Sequence, residues 1–243
     1  MKDRFYLWDM PIDNITYEEA LNKFKTMISQ DGLDLIVTPN SEILLMATGN
    51  EELKKIIQSA SLVIPDGTGI LYASRILKNP LKERVTGIDF LNMIFSYLNE
   101  NKLSCYLLGG QKGVSERASL NIKKVYPDIE IKGTHNGYFN MDEADEIIKD
   151  INESNALFLC VAMGSPRQEL FVKKYEKEFD KVRCAMGVGG SLDVWAGDIK
   201  RAPLFFQKYG LEWFYRVIKE PKRFSRILRL PAFMAKVIRT KIN

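Results

Sequence analysis

Six short apolar runs recur along the chain, and stretches with helical spacing separate them. The runs are "LDLIVTPN" (33–40), "SLVIPDG" (61–67), "LSCYLLGG" (103–110), "IEIKGTH" (129–135), "ALFLCVAMG" (156–164) and "KVRCAMGVGG" (181–190). Several are apolar nearly throughout, the pattern of strands covered on both faces. Segments 16–29, 41–59, 67–78, 88–100, 112–125, 141–153 and 166–178 carry helical periodicity. Asn140 is the expected N-cap of the sixth of these, ahead of an acidic first turn. Pro166 opens the seventh, where its missing N–H costs nothing. Such alternation predicts an α/β fold: a mostly parallel, Rossmann-like sheet with helices on both faces.

The alternation stops near "GDIKRAP" (197–203), and helical patterns then follow without strands. This predicts an α/β domain over residues 1–198 and a basic helical appendage over 199–243. From Lys200 onward there are 12 Lys or Arg against two acids, Glu212 and Glu220, in a chain whose net charge is only +4. The preceding residues are therefore net negative. The appendage interleaves its cations with Phe205, Phe206, Trp213, Phe214 and Phe233, and Pro221 and Pro231 divide it into short helices. A basic, aromatic-rich amphipathic segment suits an anionic membrane surface.

No window approaches the ~18 apolar residues of a membrane-spanning helix. The three cysteines, Cys105, Cys160 and Cys184, are scattered through strand-like runs, with neither a disulfide framework nor metal-ligand spacing. The N-terminus carries Asp3, Asp9 and Asp13 and does not resemble a signal peptide. A reducing, cytoplasmic location is expected, peripheral to the inner face of the membrane.

Ligands of open parallel sheets bind beyond the carboxyl ends of the strands. The polar and small residues there are Thr38 and Asn40, Asp66, Gly109 and Gly110, His135 to Tyr138, Gly164 to Gln168, and Gly187 to Asp193. Asp66, followed by Gly-Thr-Gly, has two readings. It faces a ligand crevice that the small residues keep open, or it caps the helix that follows. "GVGGSLDVWAG" and "LLGGQKG" either cradle a phosphate or close strand–helix turns. Arg84 pairs structurally or serves the site, and Arg167 and Gln168 are surface or site residues. His135, the single histidine, is read as a loop residue. No Asp-x-Asp, H-E-x-x-H, Cys–His cluster or nucleophile elbow is present, so neither a metal site nor a cofactor is expected.

The motifs "TPNSEI" (38–43), "PDGTGI" (65–70), "ERVTGID" (83–89), "YLLGG" (106–110), "GTHNGYF" (133–139), "GSPRQE" (164–169), "GVGGSLDVWAG" (187–197), "KRAP" (200–203) and "GLEWFYRVIKEPKR" (210–223) occur in that order. Together they resemble the WecG/TagA/CpsF family of bacterial glycosyltransferases, over about residues 4–235, and its TagA branch most. The resemblance implies a metal-independent, inverting transfer of N-acetylmannosamine from UDP to an undecaprenyl-diphosphate-linked N-acetylglucosamine. This is a step in wall teichoic acid linkage-unit synthesis. Members differ in donor, so UDP-ManNAcA or a UDP-hexose is the alternative. Carried residue by residue, the resemblance makes Asp66 the general base, with Thr38, Asn40, Arg84 and Gln168 beside it. It makes Arg216, Arg223 and Arg226 the substrate-binding arginines of the appendage. The UDP site is expected at Gly109, Gly110, Tyr138, Gly187, Gly189, Gly190 and Asp193, through glycine N–H groups and a ribose-binding carboxylate. A homodimer is compatible with the sequence.

Two rivals belong to other classes. A nucleotide-sugar oxidoreductase or epimerase needs G-x-G-x-x-G after its first strand, and the strand ending near "DMPIDN" offers none. A nucleic-acid-binding or membrane-tethering protein driven by the basic tail leaves the polar strand tips unexplained, so nucleic acid is not an expected partner.

Overall fold

The structure is a computed structural model and describes residues 3–140, 143–203, 205, 206, 212, 215 and 229–242. Its centre is a six-stranded, all-parallel sheet of β3 (Asp34–Val37), β4 (Leu62–Val63), β5 (Ser104–Gly109), β6 (Glu130–His135), β7 (Phe158–Ala162) and β8 (Cys184–Gly187). Their spatial order is β4-β3-β8-β7-β5-β6. Helices α1 (Tyr17–Ser29), α4 (Thr68–Ile76), α5 (Gly87–Glu100), α6 (Val114–Val125), α7 (Ala144–Glu153), α8 (Arg167–Lys174) and α9 (Ser191–Ala196) fill the connections. This is the expected α/β architecture.

The apolar runs are continuous because both faces of the sheet are covered. Successive side chains of a strand point to opposite faces. Cys105 and Leu107 of β5, Phe158 and Cys160 of β7, and Cys184 and Met186 of β8 all pack with Phe24, Phe90 and Phe95. The intervening Tyr106, Leu108, Leu159, Val161 and Ala185 pack with Ile147, Ile151 and Phe171 on the other side. All three cysteines are thus buried, unpaired and on one face. Burial alone pushes the Cys105 thiol up to about 12.

Three local expectations are corrected. The pattern over 41–59 makes two helices, α2 (Ser41–Ala47) and α3 (Glu51–Ser59). Thr48 closes the first by donating its hydroxyl to Leu45 O, and Asn50 caps the second by accepting from Leu53 N–H. Asn140 is not the cap of α7. Its N–H donates to the Glu143 carboxylate, and Glu143 holds the capping position. The helix after Pro166 ends at Lys174 rather than 178. The amino-terminal segment adds a second, separate sheet. β1 (Arg4–Leu7) and β2 (Met10–Asp13) form an antiparallel hairpin.

That hairpin protects an edge. Asp13, 2% exposed, accepts Val63 N–H through Oδ2 at 2.8 Å, and Arg4 and Lys23 through Oδ1 at 3.1 and 3.0 Å. The outward N–H of the edge strand β4 is therefore satisfied by a side chain instead of a further strand. The same contact anchors β4 three residues before Asp66.

The last described helix, α10 (Arg229–Ile242), belongs to the same corner. Phe233 and Val237 are fully buried with Phe5, Leu7, Val37, Leu44 and Ile70. Trp8 packs edge-on against Phe233 at 5.4 Å and donates its indole N–H to Thr240. Arg239, Lys241, Ile238 and Ile242 remain exposed.

Candidate active site

A cavity of about 680 Å³ runs along the carboxyl edge of the sheet, and all six strands contribute to it. Thr38 follows β3, Asp66 β4, Gly110 β5, Tyr138 β6, Ser165 β7 and Gly189 β8. Its size lies within the ~300–1,000 Å³ usual for small-molecule sites. Of the residues expected at the site, Thr38, Asn40, Asp66, Arg84, Gly110, Tyr138, Gln168, Gly189, Gly190 and Asp193 line it. Gly109 and Gly187 stand just behind the wall. Arg216, Arg223 and Arg226 lie outside the described residues.

Asp66 lies three residues beyond the edge strand β4, and the capping position of α4 falls to Gly67, not to Asp66. A Cβ on Gly87 would lie 3.5 Å from Asp66 Oδ2 and 3.5 Å from Thr38 Oγ1. The carboxylate and the hydroxyl thus flank the same bare backbone. Thr38 is held by donating its hydroxyl to Gly187 O at 3.1 Å. Asn40 caps α2, its Oδ1 accepting from Glu42 and Ile43 N–H.

Beside Asp66 a charged network crosses to the carboxyl-terminal segment. Asp89 receives a bidentate pair from Arg201 at 2.6 and 2.7 Å, and the Thr86 hydroxyl at 2.6 Å. Burial works to raise the Asp89 carboxyl, but the Arg201 and Thr86 hydrogen bonds outweigh it and hold the group below its ordinary value. Glu212 bridges Arg201 and Arg84, each at 3.4 Å. Tyr17 accepts Thr86 N–H at its phenol oxygen. Burial raises that phenol against the lowering bonds from Thr86, and the Asp89 and Asp66 carboxylates add to the rise.

The glycine-rich side works differently from the expectation. Gly110 N–H donates to Ala162 O at 2.9 Å, and Gly189 N–H to Gln168 Oε1 at 3.1 Å. Both are already bonded within the protein, so these glycines contribute lack of bulk rather than free donors. Gly109 shows the demand most clearly. Its φ is +139°, and a Cβ would lie 2.4 Å from Ala162 O. Gly189 has φ +50° and nothing within 4 Å of a Cβ, as befits a cavity wall.

Gln168 is 2% exposed and both ends of its amide are bonded, with Nε2 donating to Glu169 Oε1 at 2.8 Å. Arg167, ambiguous in the sequence, lines the cavity. It donates to Phe139 O and stacks over the Phe139 ring at 5.3 Å. Thr86, Gly87, Glu212 and Leu230 on the wall were not singled out from the sequence. "ERVTGID" held the signal for the first two and "GLEWFYRVIKEPKR" for Glu212, while no motif contains Leu230. Among the described residues no three His, Cys, Asp or Glu side chains converge as a metal site would require. No described helix is long and apolar enough to cross a membrane.

A match to the family described as "Glycosyl transferase WecG/TagA/CpsF family" spans residues 5–243. The chain is 35% identical to a protein of Staphylococcus aureus (strain MRSA252), over 94% of this chain and 90% of that one. That relative is named N-acetylglucosaminyldiphosphoundecaprenol N-acetyl-beta-D-mannosaminyltransferase. A relative of the same name from strain MW2 matches with the same identity and coverage. With an α/β fold, a cavity spanning every strand end and these matches along nearly the whole sequence, the chain belongs to the WecG/TagA/CpsF family of glycosyltransferases.

Proposed function

We propose that this glycosyltransferase moves N-acetylmannosamine from UDP-ManNAc to undecaprenyl-diphosphate-linked N-acetylglucosamine, with inversion and without a metal. The observation that carries this is Asp66 on the cavity wall, flanking Gly87 opposite Thr38. A sugar hydroxyl is a poor nucleophile until its proton can leave. Asp66 takes that proton as the hydroxyl oxygen bonds to the anomeric carbon of the donor. The bond from that carbon to the diphosphate oxygen breaks at the same time, and its electron pair departs on UDP. A single displacement of this kind inverts the anomeric centre and needs no enzyme nucleophile. A positioned base contributes typically ~10²–10⁴ in rate.

The departing diphosphate gathers negative charge. Among the described residues, Arg84 and Arg167 are the cationic side chains on the wall, and Arg216, Arg223 and Arg226 are proposed to join them from the appendage. Asp193, beside Gly190 on the wall, is proposed to hold the ribose. The exposed cations of α10 are proposed to rest on the anionic inner face of the membrane, where an undecaprenyl acceptor resides.

The test is a screen of UDP-sugars against a short-chain lipid-diphosphate-GlcNAc acceptor, with the product read by mass spectrometry and its anomer by NMR. Transfer from UDP-ManNAc with inversion, persisting in excess EDTA, is expected. Preference for another UDP-sugar, retention of configuration, or loss in EDTA restored by Mg²⁺ overturns the corresponding part.

A further inference from the structure

The mechanism leaves a buried carboxyl beside the cavity without a role. Glu169 is 3% exposed in the first turn of α8, directly behind the cavity wall. Its Oε1 accepts the Gln168 amide at 2.8 Å. Its Oε2 is buried with no hydrogen-bond partner among the described residues, and so is the hydroxyl of the adjacent Ser165. Burying a carboxyl costs free energy unless hydrogen bonds offset it, so the group it bonds is informative.

That group is Gln168. The two ends of an amide are nearly the same shape but opposite in hydrogen-bonding sense. In this structure the carbonyl end accepts Gly189 N–H, and the NH₂ end faces Glu169. Turned over, the amide would set its NH₂ against the Gly189 N–H, donor against donor. That clash disfavours the turned amide, and the acceptor on the far side adds to the preference. The amide also lies flat on Gly187, where a Cβ would come within 2.5 Å of Nε2. Gly187 O in turn accepts the Thr38 hydroxyl, and Thr38 flanks Gly87 opposite Asp66. One buried acceptor thus stands at the root of a chain that runs through Gln168 and the β8 turn to the proposed base.

We propose that Glu169 is a positioning residue, which fixes the orientation of the Gln168 amide and through it the Gly187–Gly190 turn that forms the nucleotide side of the cavity. This rests on the reading of that side as the UDP site. A neutral carboxyl suits the role as well as an ionised one, because its carbonyl oxygen still accepts from Gln168. Burial raises the Glu169 carboxyl above its ordinary value, outweighing the lowering hydrogen bond from Gln168.

The test compares Glu169→Leu, Glu169→Gln, Gln168→Ala and the Glu169→Leu/Gln168→Ala double variant in the full chain. UDP affinity, donor and acceptor KM, and thermal midpoint are measured on each. Glu169→Leu keeps the volume and removes the acceptor. It should weaken UDP binding about tenfold, the effect of one oriented hydrogen bond, with acceptor KM unchanged. Glu169→Gln retains a carbonyl acceptor and should recover most of that loss. The double variant should bind UDP no worse than Gln168→Ala alone, because the two residues act in series. Independent, multiplying losses overturn the proposal, as does wild-type UDP affinity in Glu169→Leu while Gln168→Ala is impaired. If neither variant affects UDP binding, the UDP site is misplaced and the proposal falls with it. Should Glu169→Leu not fold, the Gln168 side-chain NH₂ of ¹⁵N-glutamine-labelled protein carries the test, assigned by its loss in Gln168→Ala. A downfield-shifted, exchange-protected NH₂ proton is expected, and a pair with the shifts and solvent exchange of an exposed glutamine overturns the proposal.

Discussion

Asp66 and Thr38, from neighbouring strands, flank the same residue: each places a side-chain oxygen 3.5 Å from where a Cβ on Gly87 would lie. The pairing follows from the parallel register of β3 and β4, in which Val37 stands beside Val63. Both strand ends then emerge at the same level of the sheet. Asp66→Asn keeps the shape of this arrangement and removes the base. Transfer should fall at least ~10²-fold, with UDP affinity and thermal midpoint unchanged. Turnover near the wild-type rate on a soluble acceptor would remove Asp66 from the mechanism.

The two glycine positions at the cavity should separate by stability. Gly109→Ala puts a Cβ into the Ala162 backbone at 2.4 Å, and its φ is +139°. Neither can relax by turning a side chain, so the cost should exceed the ~1–3 kcal/mol of a strained backbone alone. Gly189→Ala meets nothing within 4 Å and pays only the left-handed backbone cost, ~1–2 kcal/mol. Denaturant midpoints of the two variants check the order, and equal losses would contradict it.

Asp13→Ala tests the edge. It strips the partner from the buried Val63 N–H and leaves Arg4 and Lys23 without their shared carboxylate. A loss of about 1–3 kcal/mol is expected for the unsatisfied donor, read as a lowered melting temperature. A midpoint equal to wild type would show that water replaces the carboxylate without penalty.

Glu169 makes stability depend on pH with a definite sign. Its carboxyl is raised in the folded state, so between the unfolded value, about 4.3, and the folded one the native protein binds more protons. Stability in that window falls as pH rises. Its contribution is whole below the unfolded value and is lost as pH climbs through the folded one. Glu169→Gln cannot titrate, so its stability relative to wild type should improve progressively from about pH 5 upward. A difference that stays constant with pH would contradict the raised carboxyl.

The membrane role of α10 is best tested on its surface. A deletion would also remove Phe233 and Val237 from the core. Arg239 and Lys241 are exposed, and replacing both with Gln should weaken binding to anionic vesicles by ~2 kcal/mol, about 30-fold. The melting temperature should not move. Unaltered vesicle binding would take α10 out of the membrane contact.

Period and composition were enough for the layered α/β architecture. Strands covered on both faces need uninterrupted apolar runs, and a parallel sheet needs a helix-length crossover after each strand; both demands are written locally. The position of the cavity followed too, since a strand's carboxyl end is known once the strand is. Asp66, Arg84 and Gln168 were legible as polar residues at or near such ends. What only the tertiary structure decided is where each side chain spends its hydrogen bonds. Gly189 offers an N–H in the sequence, but in the fold that N–H belongs to Gln168. Glu169 is one more charged residue in a helical stretch until the packing of α8 against β8 buries it. Glu212, 128 residues from Arg84, becomes its ion-pair partner only when the carboxyl-terminal segment returns to the cavity. Burial and long-range pairing depend on all the elements at once, so no local window of residues contains them.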